Sequence, residues 1–185
     1  MNTPDFILRK WKLSDAASLA ENANNIRIWN NVRDYFPHPY SQKDGKDFIT
    51  MCNEAPEPAV NLAIIVDGKA VGGIGIVLQT DVERISAELG YWLGEKYWNR
   101  GIITKAVGQM AEYAFNNFQL HKIYAPVFDF NIASQKVLQK AGFEREAILK
   151  QVAIKNGKII DLHYYSLFRN CFSYNFQNKK DINHP

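Results

Sequence analysis

Cysteine is scarce: Cys52 and Cys171 are the only two in 185 residues, and they form no C-x-x-C pair. That excludes a disulfide scaffold and a cysteine zinc site, and it fits reduced thiols in a cytoplasmic chain. Long apolar runs are missing as well. The longest aliphatic stretch, "LAIIV", is far too short to span a bilayer, and the opening "MNTPDFILRKWK" has no apolar signal core. No block of like charge exists beyond "NKK", and a formal net charge of +3 is too small to argue for nucleic acid. Neither a Walker A loop nor a G-x-G-x-x-G occurs, so nucleoside triphosphate and dinucleotide binding have little support. No repeat and no linker divides the chain. What is present is ordinary for a soluble globular protein, 46% hydrophobic and 22% charged, with a generous 13% aromatics. One domain over residues 1–170 is expected, with a polar tail over 171–185.

Along the chain, "FILRKW" reads as a short strand, and Ser14 as the N-cap of a helix through "DAASLAENANN". A second helical stretch around residues 26–32 runs into "RDYFPHPYS", where two prolines forbid regular structure. Ser41 is placed to cap a third helix through about residue 53. The period then changes. "VNLAIIV" and "AVGGIGIVLQT" read as strands joined by the hairpin signal "DGK", with glycines that suggest a bulge. "RISAELGYWLG" is a third strand. Ile103, Ala106, Val107, Met110, Ala114 and Phe118 then recur at helical spacing. "HKIYAPVF" follows as a strand, "NIASQKVLQKAGF" as a capped helix, and a final hairpin turns at Asn156-Gly157. This order is α+β with some parallel pairing, not a doubly wound fold.

The most specific stretch is "YWNRGIITKA". Gly101 lies between a strand end and a helix start, where the first helical amides point outward unpaired. Those donors and the positive end of the helix dipole suit a phosphate or pyrophosphate. Gly101 would allow close approach, Arg100 would add charge, and Thr104 offers a hydroxyl. A plain strand-to-helix connection explains the same residues. Thirty residues on, Asn131 sits at an N-cap, Ser134 three residues later, Lys136 on the next turn, and Gly142 at the helix end; simple capping accounts for these too.

Taken together, "ELGYWLGEKYWNRGIITKA" and "NIASQKVLQKAGF" resemble the GNAT superfamily of acetyl-CoA-dependent N-acetyltransferases, within it the RimJ/RimL-like branch. "LRKWKLSDAASL", "FPHPYS" and "REAIL…NGKIIDLHYYSL" are similar to that branch's opening strand and helix, proline-aromatic loop and final hairpin. The resemblance implies a mixed, mostly antiparallel twisted sheet flanked by helices, in which two central parallel strands, "ELGYWL" and "KIYAPV", splay apart. Coenzyme A would lie in that gap, its pantetheine arm against the backbone of Tyr91, Trp92 and Leu93. Its pyrophosphate would sit on Asn99, Arg100, Gly101, Ile102, Ile103 and Thr104, with Asn131 and Lys136 contributing from the second helix. Trp98 and Ile103 depart from the superfamily turn, Arg/Gln-x-x-Gly-x-Gly/Ala, and Ile103 is bulkier than the usual small residue.

The reaction implied is attack of a neutral amine on the acetyl carbonyl. Many superfamily members protonate the leaving sulfur with a tyrosine one turn beyond Ser134; here that position is Leu138, which leaves Ser134 as the donor. Two carboxylates compete as base. Glu88 shares a strand face with Gly90 and Trp92 by alternation, and Glu146 opens the final hairpin where the branch has a glutamate. Trp29, Tyr35, Phe36, His38 and Tyr40 would line the acceptor site, with Asp161, His163 and Tyr165 as polar contacts. The expected partner is an amine, a protein N-terminus or a small molecule. A homodimer is compatible with the sequence, and no membrane, direct nucleic-acid or metal site is called for. The alternatives are an acyltransferase of the same fold with another acyl-CoA or acceptor, and a non-catalytic coenzyme-binding regulatory module.

Overall fold

Asp67 (φ 48°) and Gly68 (φ 74°) take the two left-handed positions of a tight hairpin turn. They join β2 (Asn61–Val66) to β3 (Lys69–Leu78). The pairing passes from Ile64↔Gly72 to Ile65↔Ala70, so Val71 is the extra residue of the bulge that the glycine-rich sequence suggested. β4 (Ser86–Leu93) pairs antiparallel with β3, and β1 (Ile7–Arg9) pairs antiparallel with β2. β5 (Lys122–Phe128) lies parallel to β4. β6 (Glu144–Lys155) and β7 (Lys158–Phe168) form the last hairpin, turning at Asn156 (φ 53°) and Gly157 (φ 73°). The sheet order is β1-β2-β3-β4-β5-β7-β6, a mixed sheet with one parallel pair at its centre. These observations come from a computed structural model, which describes residues 4–172.

The helices divide between the two faces. α1 (Ala16–Ala23), α2 (Ile26–Trp29) and α3 (Gln42–Glu54) precede the central strands. Leu19 and Ile49, from α1 and α3, bury with Trp11, Tyr40, Ala63 and Ile65 in one cluster. α4 (Ile102–Asn117) and α5 (Ile132–Lys140) cover the other face. There Ile102, Ala106, Val107, Met110 and Leu138 are buried with Ile64, Ile76, Leu89, Ile123 and Tyr165. Each such aliphatic side chain contributes about 1.5–3 kcal/mol by leaving water, which fixes α4 against the centre of the sheet.

Local chemistry accounts for several differences from the sequence reading. Ser14 caps nothing; it sits in a single 3-10 turn, Leu13–Asp15. Asp15 instead accepts from the Lys12 amide at 2.9 Å and from Arg9 through both guanidinium nitrogens, at 2.7 and 2.8 Å. α2 is one turn, capped by Asn25 Oδ1 accepting the Arg27 amide at 2.8 Å. Ser41 caps α3 reciprocally with Asp44, as its position suggested. Phe118 has left α4 as an extended C-cap, and Ala111 and Phe115 complete the buried face instead. Phe172 packs its ring 5.5 Å from that of Phe115, so the fold carries on to that residue. Residues 173–185 of the expected tail lie outside the described residues. Among the described residues no helix is long and apolar enough to cross a membrane.

Candidate active site

The centre of the sheet is open. β4 and β5 pair only at Ser86↔Lys122, Ala87↔Ile123 and Glu88↔Tyr124, although β4 continues to Leu93 and β5 to Phe128. Beyond Glu88 the strands splay, and the backbone groups that would complete the ladder are left to other partners. Pro126, two residues past the last pair with β4 though still opposite Tyr164 of β7, has no N–H to offer a ladder and is tolerated where the pairing with β4 has ended. Tyr91, Trp92 and Leu93 all lie on the diverging part of β4.

At the end of β4 the chain turns once, and the Trp98 indole N–H locks that turn by donating to the Leu93 carbonyl at 2.7 Å. Asn99 (φ 59°) and Gly101 (φ 74°) are then left-handed, a conformation that suits glycine and, next best, asparagine. Gly101 is the N-cap of α4, and no side chain caps the helix. The amides of Ile102, Ile103 and Thr104 are therefore free to serve an anion, with the helix dipole behind them. Arg100 is exposed beside them, its guanidinium 5.7 Å from the Tyr97 ring centre. Ile103 packs against the main core cluster, so its bulk is spent inside the fold. This seam and the splay together fit a ligand with an amide-bearing extended arm and a diphosphate.

α5 borders the same gap. Asn131 caps it by accepting the Ser134 amide at 3.1 Å, while Lys136 is exposed. Ser134 Oγ lies 2.8 Å from the phenol oxygen of Tyr91. Leu138, where many superfamily members have tyrosine, is fully buried in the core.

On the opposite face, Glu88, Gly90 and Trp92 share one side of β4. A Cβ built on Gly90 meets nothing within 4 Å, so open space lies over this point of the strand. Glu88 Oε1 accepts from Arg33, of the loop after α2. Tyr124 stacks on Tyr164 with ring centres 5.9 Å apart, next to Glu88 in the register. Glu146 is tied up differently: its Oε2 accepts from Ser166 and stands 2.6 Å from Lys122 Nζ. The Lys122 ammonium first, then the Ser166 hydroxyl, holds its carboxyl below the usual range despite some burial.

The aromatic acceptor candidates separate into three groups. Phe36 reaches Trp92, with rings 5.7 Å apart, and packs at a tilt against Tyr40, which is buried in the α1–α3 cluster. Tyr35 is 82% exposed, outside the buried aromatic cluster. Trp29 neighbours His38 at 6.0 Å and carries Lys155 Nζ 3.6 Å over its ring. Lys155 is buried and bonds Asp34 at 2.6 Å, while Asn156 donates to Asn30 at 2.9 Å. The tip of the last hairpin is thus strapped to α2 and the loop that follows it.

Two sequence candidates serve the scaffold instead. Tyr165 is 1% exposed and faces α5, where its phenol bonds Gln135 at 3.3 Å; Tyr164 takes the open face. Asp161 accepts the Gln151 amide at 2.8 Å, pinning a bulge of β6 where Gln151 is left-handed. His163 shares the Tyr165 side, its Nδ1 buried without a hydrogen-bond partner among the described residues. Sequence reading missed Arg33, Asp34, Lys155 and Tyr164, and used only the backbone of Tyr91. Alternation already put the Tyr91 ring on the helix side; nothing local pairs Lys155 with a residue 121 positions away.

Residues 5–144 match the family model described as an acetyltransferase (GNAT) domain. The chain is 29% identical over 174 residues to the uncharacterized N-acetyltransferase p20 of Bacillus licheniformis, covering 90% of this chain and 94% of that one. It is 30% identical over 130 residues to the L-amino acid N-acetyltransferase AaaT of Escherichia coli, covering 69% and 76%. Among solved structures, Mycobacterium smegmatis RimJ in complex with CoA-disulfide superposes with a TM-score of 0.80 at 23% identity, over 91% of this chain and 84% of that one, and so shares the fold. With its splayed strands and uncapped seam, the chain belongs to the GNAT family of acetyltransferases, the acetyl-CoA-dependent N-acetyltransferases.

Proposed function

We propose that this protein is an N-acetyltransferase of the RimJ/RimL-like branch that acts on an α-amine at the end of a slender acceptor. Acetyl-CoA supplies the acetyl group and a thiol that departs readily. The observation that carries the reading is the splay beyond Glu88↔Tyr124, with an uncapped helix at one end and an open strand face beside it. Amides of Ile102, Ile103 and Thr104 hold the diphosphate, with Arg100 and Lys136 adding charge. The backbone of Tyr91 through Leu93 pairs with the arm, and Asn131 assists from α5. Backbone N–H groups near Tyr91 or Trp92 serve the carbonyl oxygen. Ser134 donates toward the sulfur.

Glu88 is the better base of the two carboxylates. Arg33 occupies its Oε1, and it stands where the strands part, beside the open space at Gly90. Glu146 is held by both Lys122 and Ser166, and its lowered carboxyl is a poorer proton acceptor. An α-amine suits this modest apparatus. At pH 7 roughly a tenth of such groups are already neutral, whereas a lysine amine is neutral less than about one part in a thousand. Cys52 offers no covalent alternative, because burial pushes its thiol up to about 11. The strap from Lys155 to Trp29 and Asp34 favours a chain end or small molecule over a side chain on a folded surface.

Thiol release across a panel of amino acids, N-terminal peptides, polyamines and lysine derivatives tests this. Free α-amines should lead at pH 7, and Ser134→Ala and Glu88→Gln should each slow turnover by about tenfold or more. Faster turnover of ε-amines overturns the acceptor reading; unchanged rates in both variants overturn the residue roles.

A further inference from the structure

Ser134 meets a phenol that arrives from another element. Tyr91 Oη lies 2.8 Å from Ser134 Oγ and 3.4 Å from the Ser134 carbonyl oxygen. Alternation along β4 turns Tyr91 away from the Glu88 face and toward the helices, and its ring packs against the main core cluster. The side chain therefore runs from one lip of the splay to the helix that borders the other.

The direction of the hydrogen bond matters. A phenol is a stronger donor than an aliphatic hydroxyl, and both acceptors within reach of Tyr91 belong to Ser134. Donation from Tyr91 to Ser134 Oγ leaves the serine O–H free to donate a hydrogen bond of its own. The reverse order would engage that O–H with the phenol oxygen. Burial, outweighing the Ser134 hydrogen bond that acts the other way, raises the Tyr91 phenol above its ordinary range, so the donor stays protonated.

We propose that Tyr91 is the positioning residue of Ser134: its O–H donates to Ser134 Oγ, fixes that hydroxyl's orientation, and turns the serine proton toward the sulfur side of the splay. Neither residue gives up its proton; the two form a donor chain in which the first bond strengthens the second. This rests on the reading of Ser134 above, and it assigns a functional side chain to a strand residue whose backbone alone was implicated. With Leu138 buried, the hydroxyl pair from β4 and α5 occupies the region the absent tyrosine would serve.

Coenzyme A binding provides the test without any acceptor. The thiolate absorbance of bound coenzyme A is titrated in wild type, Tyr91→Phe, Ser134→Ala and the double variant. A free thiol titrates near ~8.5. The wild-type complex should titrate lower, each single variant should move the midpoint up by about half to one pH unit, and the double variant should add nothing. In turnover, Tyr91→Phe should lower kcat about three- to tenfold at unchanged amine KM and coenzyme Kd. A midpoint shifted by Ser134→Ala but not by Tyr91→Phe overturns the role of Tyr91 while sparing Ser134. No shift in either variant removes Ser134 from the sulfur and the proposal with it. Weakened coenzyme binding in Tyr91→Phe, with effects that add to those of Ser134→Ala, makes the ring a mere prop and also overturns it.

Discussion

The two halves of the proposed site are made of different material. The half assigned to coenzyme is mostly main chain: three amides opening α4, a left-handed Gly101 and the unpaired edge of β4. The half assigned to the acceptor is mostly side chain: Glu88 with Arg33, Tyr124 with Tyr164, and Lys155 across Trp29 and Asp34. A main-chain site needs a turn and a helix start, both set within a few residues. A side-chain site needs distant segments to arrive together, and it changes with each one.

That contrast predicts separable failures. Gly101→Val should hurt most, because a β-branched residue at φ 74° disrupts the seam. Losing one charge-assisted bond there costs about 2 kcal/mol, so coenzyme Kd should rise about thirtyfold by calorimetry. Undiminished affinity would break the main-chain account. Gly90→Val is the counterpart on the acceptor side. Nothing lies within 4 Å of the added Cβ, and a strand gains from losing glycine. Melting temperature and coenzyme Kd should hold or improve while amine KM rises about tenfold. An unaffected KM would mean the acceptor does not pass over β4 at all.

Lys155→Met keeps the stem but removes the ammonium from Trp29 and Asp34. Asp34 is largely exposed, so no buried charge is stranded. Amine KM should rise about threefold, with about 1 kcal/mol of stability lost in denaturant unfolding and coenzyme Kd unmoved. The smallest effect is pH-dependent. Burial alone would raise the Asp15 carboxyl, yet Arg9 and the Lys12 amide bring it below its ordinary value. A carboxylate depressed by folding stabilises above its unfolded value of about 3.9 and loses that contribution as pH falls through the folded one. Asp15→Asn should therefore cost about 1 kcal/mol at pH 7 and progressively less as pH falls below about 3.9, read from melts across pH. An equal deficit at both ends would assign the loss to packing.

The helix starts were readable because Gly101, Asn131 and Ser41 act on their own neighbours. Ser14 misled for the same reason that it tempted: a good capping residue beside Asp15 loses to a carboxylate already locked by Arg9. Pro126 was a signal for the splay that periodicity alone overlooked. Tyr165 and Asp161 looked like acceptor contacts because they are polar residues on the right hairpin. Which face each takes follows from the β7 register and the β6 bulges, set by pairings far apart in sequence.

Local chemistry along the chain determined the element order, the left-handed turn that opens α4 and the family to which the protein belongs. These depend on φ preferences, capping and apolar period, each contained in a short window. Only the folded sheet decided that Glu88 stands beside the open space at Gly90 while Glu146 is tied to Lys122 and Ser166, that Tyr91 reaches Ser134, and that Lys155 fastens the last hairpin over Trp29. The last two of those contacts join residues 43 positions apart (Tyr91 and Ser134) and 126 apart (Lys155 and Trp29). Their geometry depends on strand register and on how far β4 and β5 diverge, and no short window of sequence contains either.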